Sequence, residues 1–291
     1  MLERERAALA AGALQPIRTE QTIVEDAGVQ FIVRSVSSLA RKGEETPRPP
    51  ATPLLRGGRP NPFLPPDPEL TVGEITPTHV AVLNKFLVVE HHLLVVTRRF
   101  APQEEPLDRD DFAALAACLG EVDGLAFYNG GRDAGASEPH KHLQLVPLPL
   151  GAGPWDAPVE ALFDSWAAAG AVSRLLRLPF RHAFALLEPA LFEDRALAAD
   201  RLQELYEAAM ETIEAIGEGA ANDEPPHAAP YNLLVTRRWM LAVRRSKEKF
   251  GSISVNALGF AGSLFVRDEE EMRRLRAAGP MNVLKEVAAR Q

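Results

Sequence analysis

Short apolar stretches, bounded by polar and turn-forming residues, recur along the chain and predict strands. Residues 22–34 are predicted to form a hairpin or a bent strand, with Ala27-Gly28 near the turn. Further strands are predicted at 79–83, 86–89, 93–97, 125–128, 140–146, 231–236, 239–244 and 263–267. Helices are predicted over residues 1–15, 108–120, 159–168, 201–217 and from 268 onwards. These elements predict an α+β fold in which helices pack on a mostly antiparallel sheet.

Aspartate residues mark two of the predicted helix starts. Asp108 is placed to cap the helix that ends near Gly120. Asp268 and Glu271 have the spacing of a capping box, in which each side chain bonds the other residue's backbone, and they would begin the last helix.

Residues 41–68 differ from their surroundings because they are rich in proline, with several glycines and mixed charge. This composition predicts a mobile loop, which could close down through the segment Asn61-Pro62-Phe63-Leu64.

A second feature is the similarity between LLVVTRR at 93–99 and LLVTRR at 233–238. The similarity is either a coincidence or a sign of two structurally related halves.

Composition and charge narrow the function classes. The chain has 291 residues, of which 46% are hydrophobic and 25% charged, as in ordinary globular proteins. A net charge of −8 argues against general nucleic-acid binding. The single cysteine, Cys118, excludes an internal disulfide and a cysteine zinc site. Because signal-peptide and membrane-span patterns are also missing from the sequence, we expect a cytoplasmic protein that binds neither nucleic acid nor a membrane.

The strand predicted at 140–146 places His140, His142 and Gln144 on one face, and Lys141 and Leu143 on the other. It follows a glycine-rich run at 129–139, whose backbone N–H groups suit phosphate oxygens. This combination favours covalent attack of an imidazole on phosphorus.

Two other roles for these histidines are open. Two histidines on one strand face can bind zinc, but a third ligand would have to come from His79, Glu90, His91 or His92, whose spacing singles out none of them. The histidines could also be buried and satisfied by hydrogen bonds. His91-His92 itself, in a turn between strands, is more typical of a surface or packing pair.

A nucleophilic histidine explains the pattern better. A neutral imidazole attacks without prior deprotonation, provided that its other nitrogen donates to an acceptor such as a backbone carbonyl. Gln144 can donate a hydrogen bond to a phosphate oxygen, but it cannot shuttle protons. It therefore favours transfer to an acceptor with its own nucleophilic oxygen over transfer to water.

A polyanionic substrate requires local positive charge in this acidic protein. Lys85 and Lys141 lie near the motifs, although Lys141 should point away from His142 in a regular strand. A further basic stretch, which could also be a solvated hairpin, comprises Arg237, Arg238, Arg244, Arg245, Lys247 and Lys249.

Several blocks in order along the chain resemble the ATP adenylyltransferases, also called diadenosine tetraphosphate phosphorylases. They are NGGRDAGASEPHKHLQ, LNKF, NPFLPPDPEL, PYNLLVTRRWM and NALGFAGSLFVRD. This family belongs to the histidine-triad superfamily, near the galactose-1-phosphate uridylyltransferases. The resemblance implies a histidine-triad-like antiparallel sheet with flanking helices, with two related, unequal halves in one compact unit. It implies an N-terminal catalytic half at 1–172 and a C-terminal adenylyltransferase half at 173–291.

The resemblance also implies roles for particular residues. His142 would take up AMP as an adenylyl-histidine, with His140 in support and Gln144 at the phosphate. Substrate binding is implied for Lys42, Asn84, Lys85, Asn129, Gly135, Ala136, Ser137, Glu138, Asn256, Ala257, Leu258, Ser263 and Arg267. Relatives often have Met and Lys where this chain has Ser263 and Arg267, and arginine presents a planar fork rather than a point charge.

The implied reaction is reversible phosphorolysis of diadenosine tetraphosphate by phosphate, which yields ATP and ADP. We expect no tightly bound cofactor, although Mg²⁺ would accompany the polyphosphate, and we expect a monomer or small homo-oligomer. Two alternatives use the same pocket. One is a dinucleoside polyphosphate hydrolase or sugar-phosphate nucleotidylyltransferase, which differs in the acceptor. The other is a nucleotide sensor that binds without turnover, against which the intact His142-Gln144 pair argues.

Overall fold

The computed structural model describes residues 1–35, 60–163, 170–215 and 229–291. Within these residues, no helix is long and apolar enough to cross a membrane. Of the predicted proline-rich loop, only residues 60–68 are described, and there Asn61 and Phe63 are buried.

The described chain contains six α-helices and sixteen strands. The first part contains α1 (Leu2–Ala10), β1 (Gln15–Pro16), β2 (Glu20–Asp26), β3 (Val29–Ser35), β4 (Thr71–Glu74), β5 (His79–Leu83), β6 (Phe86–Leu87), β7 (Leu93–Thr97), α2 (Arg109–Glu121), β8 (Gly124–Gly130) and β9 (His142–Pro147). The second part contains β10 (Val172–Ser173), β11 (His182–Leu186), α3 (Arg195–Ala215), β12 (Tyr231–Val235), β13 (Trp239–Arg244), β14 (Lys249–Phe250), β15 (Ile253–Ser254), α4 (Ala257–Phe260), β16 (Ser263–Val266), α5 (Glu269–Ala278) and α6 (Pro280–Val287).

The main sheet has nine described strands in the order β10-β11-β13-β12-β8-β9-β7-β5-β4, all paired antiparallel. A smaller sheet joins β2 and β3 to the parallel strand β16, which comes from the far end of the chain. The predicted hairpin at 22–34 is thus confirmed, and its turn lies at Ala27-Gly28, where both residues have positive φ.

Two halves of the main sheet have the same topology. In the first half the hairpin β5-β7 leads through α2 to the hairpin β8-β9; in the second half β10-β11 leads through α3 to β12-β13. Each half has the order first, second, fourth, third strand, and the halves meet at β8 and β12. The prediction of two related halves and an antiparallel sheet is therefore confirmed.

The sequence similarity that suggested this relationship does not mark equivalent strands. LLVVTRR forms β7, the second strand of its half, whereas LLVTRR forms β12, the third strand of the other half. The similarity reflects buried apolar strands that end at polar turns, a pattern that unrelated strands share. Of the two explanations left open, coincidence therefore applies to this similarity, although the two halves are related.

Each face of the main sheet covers a hydrophobic core. On one face α2 and α3 pack together over residues such as Val95, Tyr128 and Leu143. On the other face the small sheet and the C-terminal helices cover residues such as Phe127 and Trp239. Alternate residues of β8 and β9 enter opposite cores, as the period-two pattern requires.

Several predicted elements differ from the structure, three of them helices in the second half of the chain. The helix predicted at 159–168 is, in its described part, only a 3₁₀ turn at Pro158–Leu162, because Phe163 returns to extended backbone. The helix predicted at 201–217 begins earlier, at Arg195, where Asp194 accepts the N–H groups of the first turn. The helix after Asp268 is followed by another, α6.

The predicted caps are confirmed at Asp108 and only half confirmed at Asp268. Asp108 accepts from Asp110 and Asp111 in a complete capping box. Asp268 accepts from the N–H of Glu271, but the Glu271 carboxylate accepts from the backbone N–H of Arg267 instead of returning to Asp268.

Candidate active site

The predicted nucleophile, His142, is the first residue of β9 and lies where the central strands begin to diverge. It is 4% exposed and shares a sheet face with Gln144, while Leu143 and Leu145 enter the core beneath α2 and α3. The strand was predicted to begin at residue 140, but it begins at 142. His140 instead forms an isolated bridge with Pro102, because the chain after β7 runs alongside it.

The two nitrogens of the His142 ring have different environments. Nδ1 lies 2.8 Å from the backbone carbonyl of His140 and donates its proton there, so the lone pair is on Nε2. Burial lowers the pKa of His142 to about 4, against the opposing effect of that hydrogen bond. The imidazole is therefore neutral near pH 7, with an unprotonated Nε2. This is the arrangement that nucleophilic attack requires.

His140 is completely buried and also neutral. Its Nε2–H donates to the Thr97 carbonyl at 2.9 Å, and its Nδ1 accepts from the Asn61 amide at 2.9 Å. Burial lowers its pKa. The Phe63 ring lies over both histidines, with centroids 5.6 Å from His140 and 5.3 Å from His142. His140 thus ties the segment around Asn61 to the nucleophile and keeps the carbonyl that fixes the His142 tautomer in place.

Gln144 belongs to a chain of three side chains. Its Oε1 lies 2.9 Å from Nε2 of His92, and Nδ1 of His92 lies 3.0 Å from the amide nitrogen of Asn84. His92, predicted as a surface or packing residue, is 6% exposed and links two predicted site residues. Lys85 follows Asn84, with its ammonium 5.9 Å from the Phe86 ring centroid.

The glycine-rich loop packs directly on the segment that begins α4. Gly135 has φ of +94°, and a Cβ there would lie 2.9 Å from the Cα of Asn256. Asn129 Oδ1 accepts from the N–H of Ala257 and from the Asn232 amide, both at 2.9 Å. The fold therefore brings the predicted residues of the loop and of α4 together, although they are far apart in sequence.

Much of the loop's hydrogen-bonding capacity is used internally. The N–H groups of Ala134 and Ala136 both donate to Gly131, and that of Gly135 donates to Arg132. Leu258 is buried, and its N–H donates to the side chain of Asn256, which caps α4. The predicted residues Ser137 and Glu138 follow in the half-exposed to exposed part of the loop that leads to β9.

Ser263, Arg267 and Lys42 are the remaining predicted site residues. Ser263 is 1% exposed and its hydroxyl accepts from the Arg34 guanidinium. Arg267 forms an ion pair with Glu271, and Nε lies 2.9 Å from that carboxylate. Neither contact involves β9 or the glycine-rich loop. Lys42 lies outside the described residues.

Lys141 does point away from His142, as predicted for a regular strand. Its ammonium lies 2.5 Å from the Asp111 carboxylate, which also bonds His79 at 3.0 Å. Burial by itself would raise the pKa of Asp111, but the His79 hydrogen bond and the Lys141 charge outweigh it, so the pKa is lowered. Lys141 therefore anchors β9 to α2 and is not placed to meet a phosphate.

The predicted basic stretch does not form a phosphate-binding cluster, because its members bind protein groups. Arg237 donates to the Leu119 carbonyl; the other contacts are Arg238 with Asp123 and Asp156, Arg244 with Glu214, Lys247 with Glu286 and Lys249 with Glu248.

Arg245, from the same stretch, is buried and supports the loop. It donates to Asn232 Oδ1 at 2.6 Å and to the Ala134 carbonyl at 3.1 Å. Burial lowers its pKa to about 10, so it stays charged near pH 7. Asn232 in turn donates to Asn129 and to Ala134. This polar network, formed by the second half, holds the glycine-rich loop of the first half.

Gln103 is a residue near the nucleophile that the sequence analysis did not identify. The β8-β9 ladder ends at the pair Phe127 and Gln144. Two residues further along each strand, the Gln103 side chain takes the place of a ladder bond: it accepts from the N–H of His142 at 2.9 Å and donates to the Asn129 carbonyl at 3.0 Å. Its insertion holds the two strands apart at the nucleophile. No sequence signal pointed to it, because a lone glutamine in a loop is common.

Known structures share this fold. The chain superposes on the crystal structure of yeast Ap4A phosphorylase Apa2 with a TM-score of 0.81 at 24% identity, over 99% of this chain and 96% of that one. It superposes on the same enzyme in complex with Ap4A with a TM-score of 0.75 at 23% identity, over 99% and 95% of the two chains.

Sequence comparison gives relatives in Saccharomyces cerevisiae. Diadenosine 5',5'''-P1,P4-tetraphosphate phosphorylase 2 is 30% identical over 234 residues, which is 74% of this chain and 71% of the relative. Protein APA1 is 24% identical over 291 residues, which is 94% of this chain and 87% of the relative.

Two family models together match most of the chain. The Ap4A phosphorylase N-terminal domain matches residues 1–165, and the ATP adenylyltransferase C-terminal domain matches residues 176–290. The first match alone covers more than half of the chain and includes the whole His142 strand. The chain therefore belongs to the Ap4A phosphorylase and ATP adenylyltransferase family of nucleotidyltransferases.

Proposed function

We propose that this enzyme catalyses the reversible phosphorolysis of diadenosine tetraphosphate (Ap4A) by phosphate, which yields ATP and ADP. The observation that carries the proposal is the buried, neutral His142, whose Nδ1–H is held by the His140 carbonyl so that Nε2 has the free lone pair. Family membership supplies the substrate class, because the Saccharomyces cerevisiae relative is named a phosphorylase of this dinucleotide.

The reaction proceeds in two transfers. Nε2 of His142 attacks the α-phosphorus of one adenylyl end, a nitrogen–phosphorus bond forms, and the bond to the bridging oxygen breaks and releases ATP. A phosphate oxygen then attacks the same phosphorus, the nitrogen–phosphorus bond breaks, and ADP leaves. Two in-line displacements predict net retention at phosphorus and ping-pong kinetics.

Phosphate is the proposed acceptor because Gln144 has no group that could take a proton from water. Water must lose a proton as it attacks, and an amide cannot accept that proton. Inorganic phosphate already has an ionised oxygen and needs no base. Gln144 instead donates its N–H to the phosphoryl oxygens, where negative charge develops in the transition state.

The remaining substrate contacts are also part of the proposal. Asn84, Lys85 and Ser137 lie on segments next to Gln144 or the glycine-rich loop, and Lys85 would supply positive charge to the polyphosphate. Mg²⁺ would accompany the substrate as a counterion. Nucleotides and phosphate are the proposed partners, the enzyme would act in the cytoplasm as a monomer or small homo-oligomer, and the two proposed domains divide near residue 172.

The test is product analysis. The protein is incubated with Ap4A, with and without inorganic phosphate, and the nucleotides are separated. The proposal predicts ADP and ATP in equal amounts, only when phosphate is present. AMP and ATP without phosphate would identify a hydrolase and contradict the argument from Gln144. Transfer only in the presence of a sugar phosphate would identify a sugar nucleotidylyltransferase, and tight binding of Ap4A without turnover would identify a sensor.

A further inference from the structure

His92 connects the edge of the site to Gln144 through side-chain hydrogen bonds alone. Asn84, His92 and Gln144 form an unbroken row, with contacts of 3.0 Å and 2.9 Å on the two sides of the imidazole. We propose that His92 is a positioning residue that fixes the Gln144 amide with its NH₂ group facing the reacting phosphate. The inference rests on the proposed function, because it assigns the means by which Gln144 is held for the transfer.

The backbone fixes where the His92 ring can lie. His92 directly precedes β7, the strand that pairs with β9, and Leu94 is opposite Gln144 in that pairing. The N–H of Asn84 donates to the His92 carbonyl at 3.0 Å, which holds the turn closed. The ring packs against Phe127 of β8, with centroids 5.9 Å apart. His92 therefore has little freedom to move away from Gln144.

The direction of the hydrogen bonds follows from the groups involved. The Asn84 amide nitrogen is a donor only, so Nδ1 of His92 accepts from it. A neutral imidazole then has its proton on Nε2, and this proton is donated to Oε1 of Gln144. With its oxygen occupied, the Gln144 amide has both N–H bonds left for the site. The reversed amide would present its oxygen to phosphate oxygens, which repel it.

His92 stays neutral over the working pH range. Burial lowers its pKa to about 4, against the opposing effect of the Gln144 hydrogen bond, and the nearby His142 ring lowers it further. A charged imidazole would donate from both nitrogens and break the contact with the Asn84 amide nitrogen. With a neutral His92, the hydrogen bonds therefore run in one direction, from Asn84 to His92 and from His92 to Gln144.

A fixed amide matters for rate more than for binding. A glutamine side chain has three rotatable bonds, and ordering it only in the transition state costs free energy at the barrier. Removing the restraint should lower kcat by about 10- to 100-fold, less than the loss of the donor itself, which typically costs about 100- to 1,000-fold. KM should change little, because the ground-state contacts of the nucleotide are kept.

The experiment is a double-mutant cycle with a rescue variant and a matched control. His92→Leu removes both hydrogen bonds at similar size, His92→Gln keeps a donor for Gln144, and His91→Asn changes the neighbouring residue. Asparagine suits position 91 because φ is positive there, and His91 contacts Glu5 rather than Gln144. kcat, KM and melting temperature are measured for these variants, for Gln144→Ala and for His92→Leu with Gln144→Ala.

The inference predicts that His92→Leu lowers kcat by about 10- to 100-fold and that His92→Gln recovers most of the loss, while His91→Asn stays within about twofold of wild type. In the Gln144→Ala background, His92→Leu should cost less than about twofold, because its target is gone. Independent, multiplicative losses in kcat would overturn the inference, as would a His92→Leu loss confined to KM.

A measurement without turnover separates this inference from the proposed function. Nitrogen-15 NMR of the histidine side chains of the wild-type protein should show His92 protonated on Nε2 and unprotonated on Nδ1. A proton on Nδ1 would mean that the Gln144 amide faces the other way, and it would overturn the inference. If the wild type cleaves Ap4A with water rather than phosphate, the proposed function fails, but the same cycle run on that cleavage still tests His92.

Discussion

The two halves of the main sheet use one topology for different tasks. In the first half, β9 begins with His142 and places Gln144 on the same face. In the second half, the corresponding strand β13 begins with Trp239, and Leu241 and Val243 occupy the alternate positions on that face. Those three side chains are buried in the hydrophobic core and have no nucleophilic group to offer. The two halves thus share a framework, and the residues at a few alternate positions of the fourth strand decide whether a half can hold catalytic side chains.

The second half still contributes to the site in the first half, because its polar side chains hold the glycine-rich loop in place. Asn232 pairs with Asn129 across the junction of the halves, and Arg245 reaches the loop carbonyl of Ala134. These buried polar side chains are costly to desolvate unless all are bonded. Their hydrogen bonds with the loop explain why they lie in an otherwise apolar core.

The comparison is tested most strongly by replacing the first residue of β9 and, separately, the first residue of β13. His142→Ala should lower the rate of ATP release from Ap4A by about 10⁴-fold or more, because it removes the proposed nucleophile. Trp239→Phe is the matched change in β13. It should leave kcat within about twofold and cost about 1–2 kcal/mol of stability, because the indole N–H bond to Glu160 is lost. Both are measured by single-turnover kinetics and thermal unfolding. Near-normal turnover by His142→Ala would refute the assignment.

Gln144 distinguishes the acceptors. Gln144→Ala should lower kcat by about 100- to 1,000-fold with little change in melting temperature, because it removes a donor to the transition state. Gln144→His supplies a group that can accept a proton, and we expect it to raise the share of AMP among the products when phosphate is absent. Unchanged products from Gln144→His would show that the amide does not exclude water.

The supporting role of the second half is tested by Arg245→Met. The change leaves the Asn232 side-chain oxygen without its Arg245 donor inside the core and removes one of the two donors to the Ala134 carbonyl, so we expect a loss of about 2–4 kcal/mol of stability. KM for Ap4A should rise about tenfold as the loop loosens, with a smaller effect on kcat. Lys247→Met, which removes a half-exposed ion pair, is the control. A pure kcat effect of Arg245→Met would contradict a role in holding the loop.

The smallest expected effect is that of pH. The attacking Nε2 must be unprotonated, and burial has lowered the pKa of His142 to about 4. The neutral form therefore persists well below the ordinary histidine pKa, and kcat/KM should be flat from pH 8 to about pH 6 and fall only towards pH 4. The same shift destabilises the fold as pH decreases from about 6.5 towards 4, since only the unfolded chain takes up the proton. A midpoint of kcat/KM near 6.5 would show that His142 is solvated in the free enzyme.

Much of the framework followed from the sequence. Alternation of apolar residues located most strands, and it correctly placed His142 and Gln144 on one face with Lys141 on the other. The cap at Asp108 was also predictable, because capping depends on a few neighbouring residues. The glycine-rich loop was recognised from composition, whereas its contact with Asn256 was not predicted.

Other parts depend on contacts that local patterns do not encode. His92, Gln103 and Arg245 act through partners that are 52, 39 and 111 positions away along the chain, respectively. Arg245 was predicted to belong to a basic cluster that meets phosphate or to a solvated hairpin, yet it is buried and donates to the Ala134 carbonyl of the loop. The helix predicted at 159–168 illustrates the same limit, since helical spacing alone could not show that Pro158–Leu162 forms only a 3₁₀ turn under β3.

The measurement that tests the central claim most directly is capture of the covalent intermediate. The protein is mixed with Ap4A in the absence of phosphate, and the reaction is quenched in alkali because phosphoramidates are stable there. The product is analysed by intact mass and peptide mapping. We predict a mass increase of one adenylyl group on the peptide that contains His142, with release of one equivalent of ATP, and loss of the adduct as ADP when phosphate is added. An adduct on another residue, or phosphate-dependent turnover with no adduct in a protein that binds Ap4A, would contradict nucleophilic attack by His142.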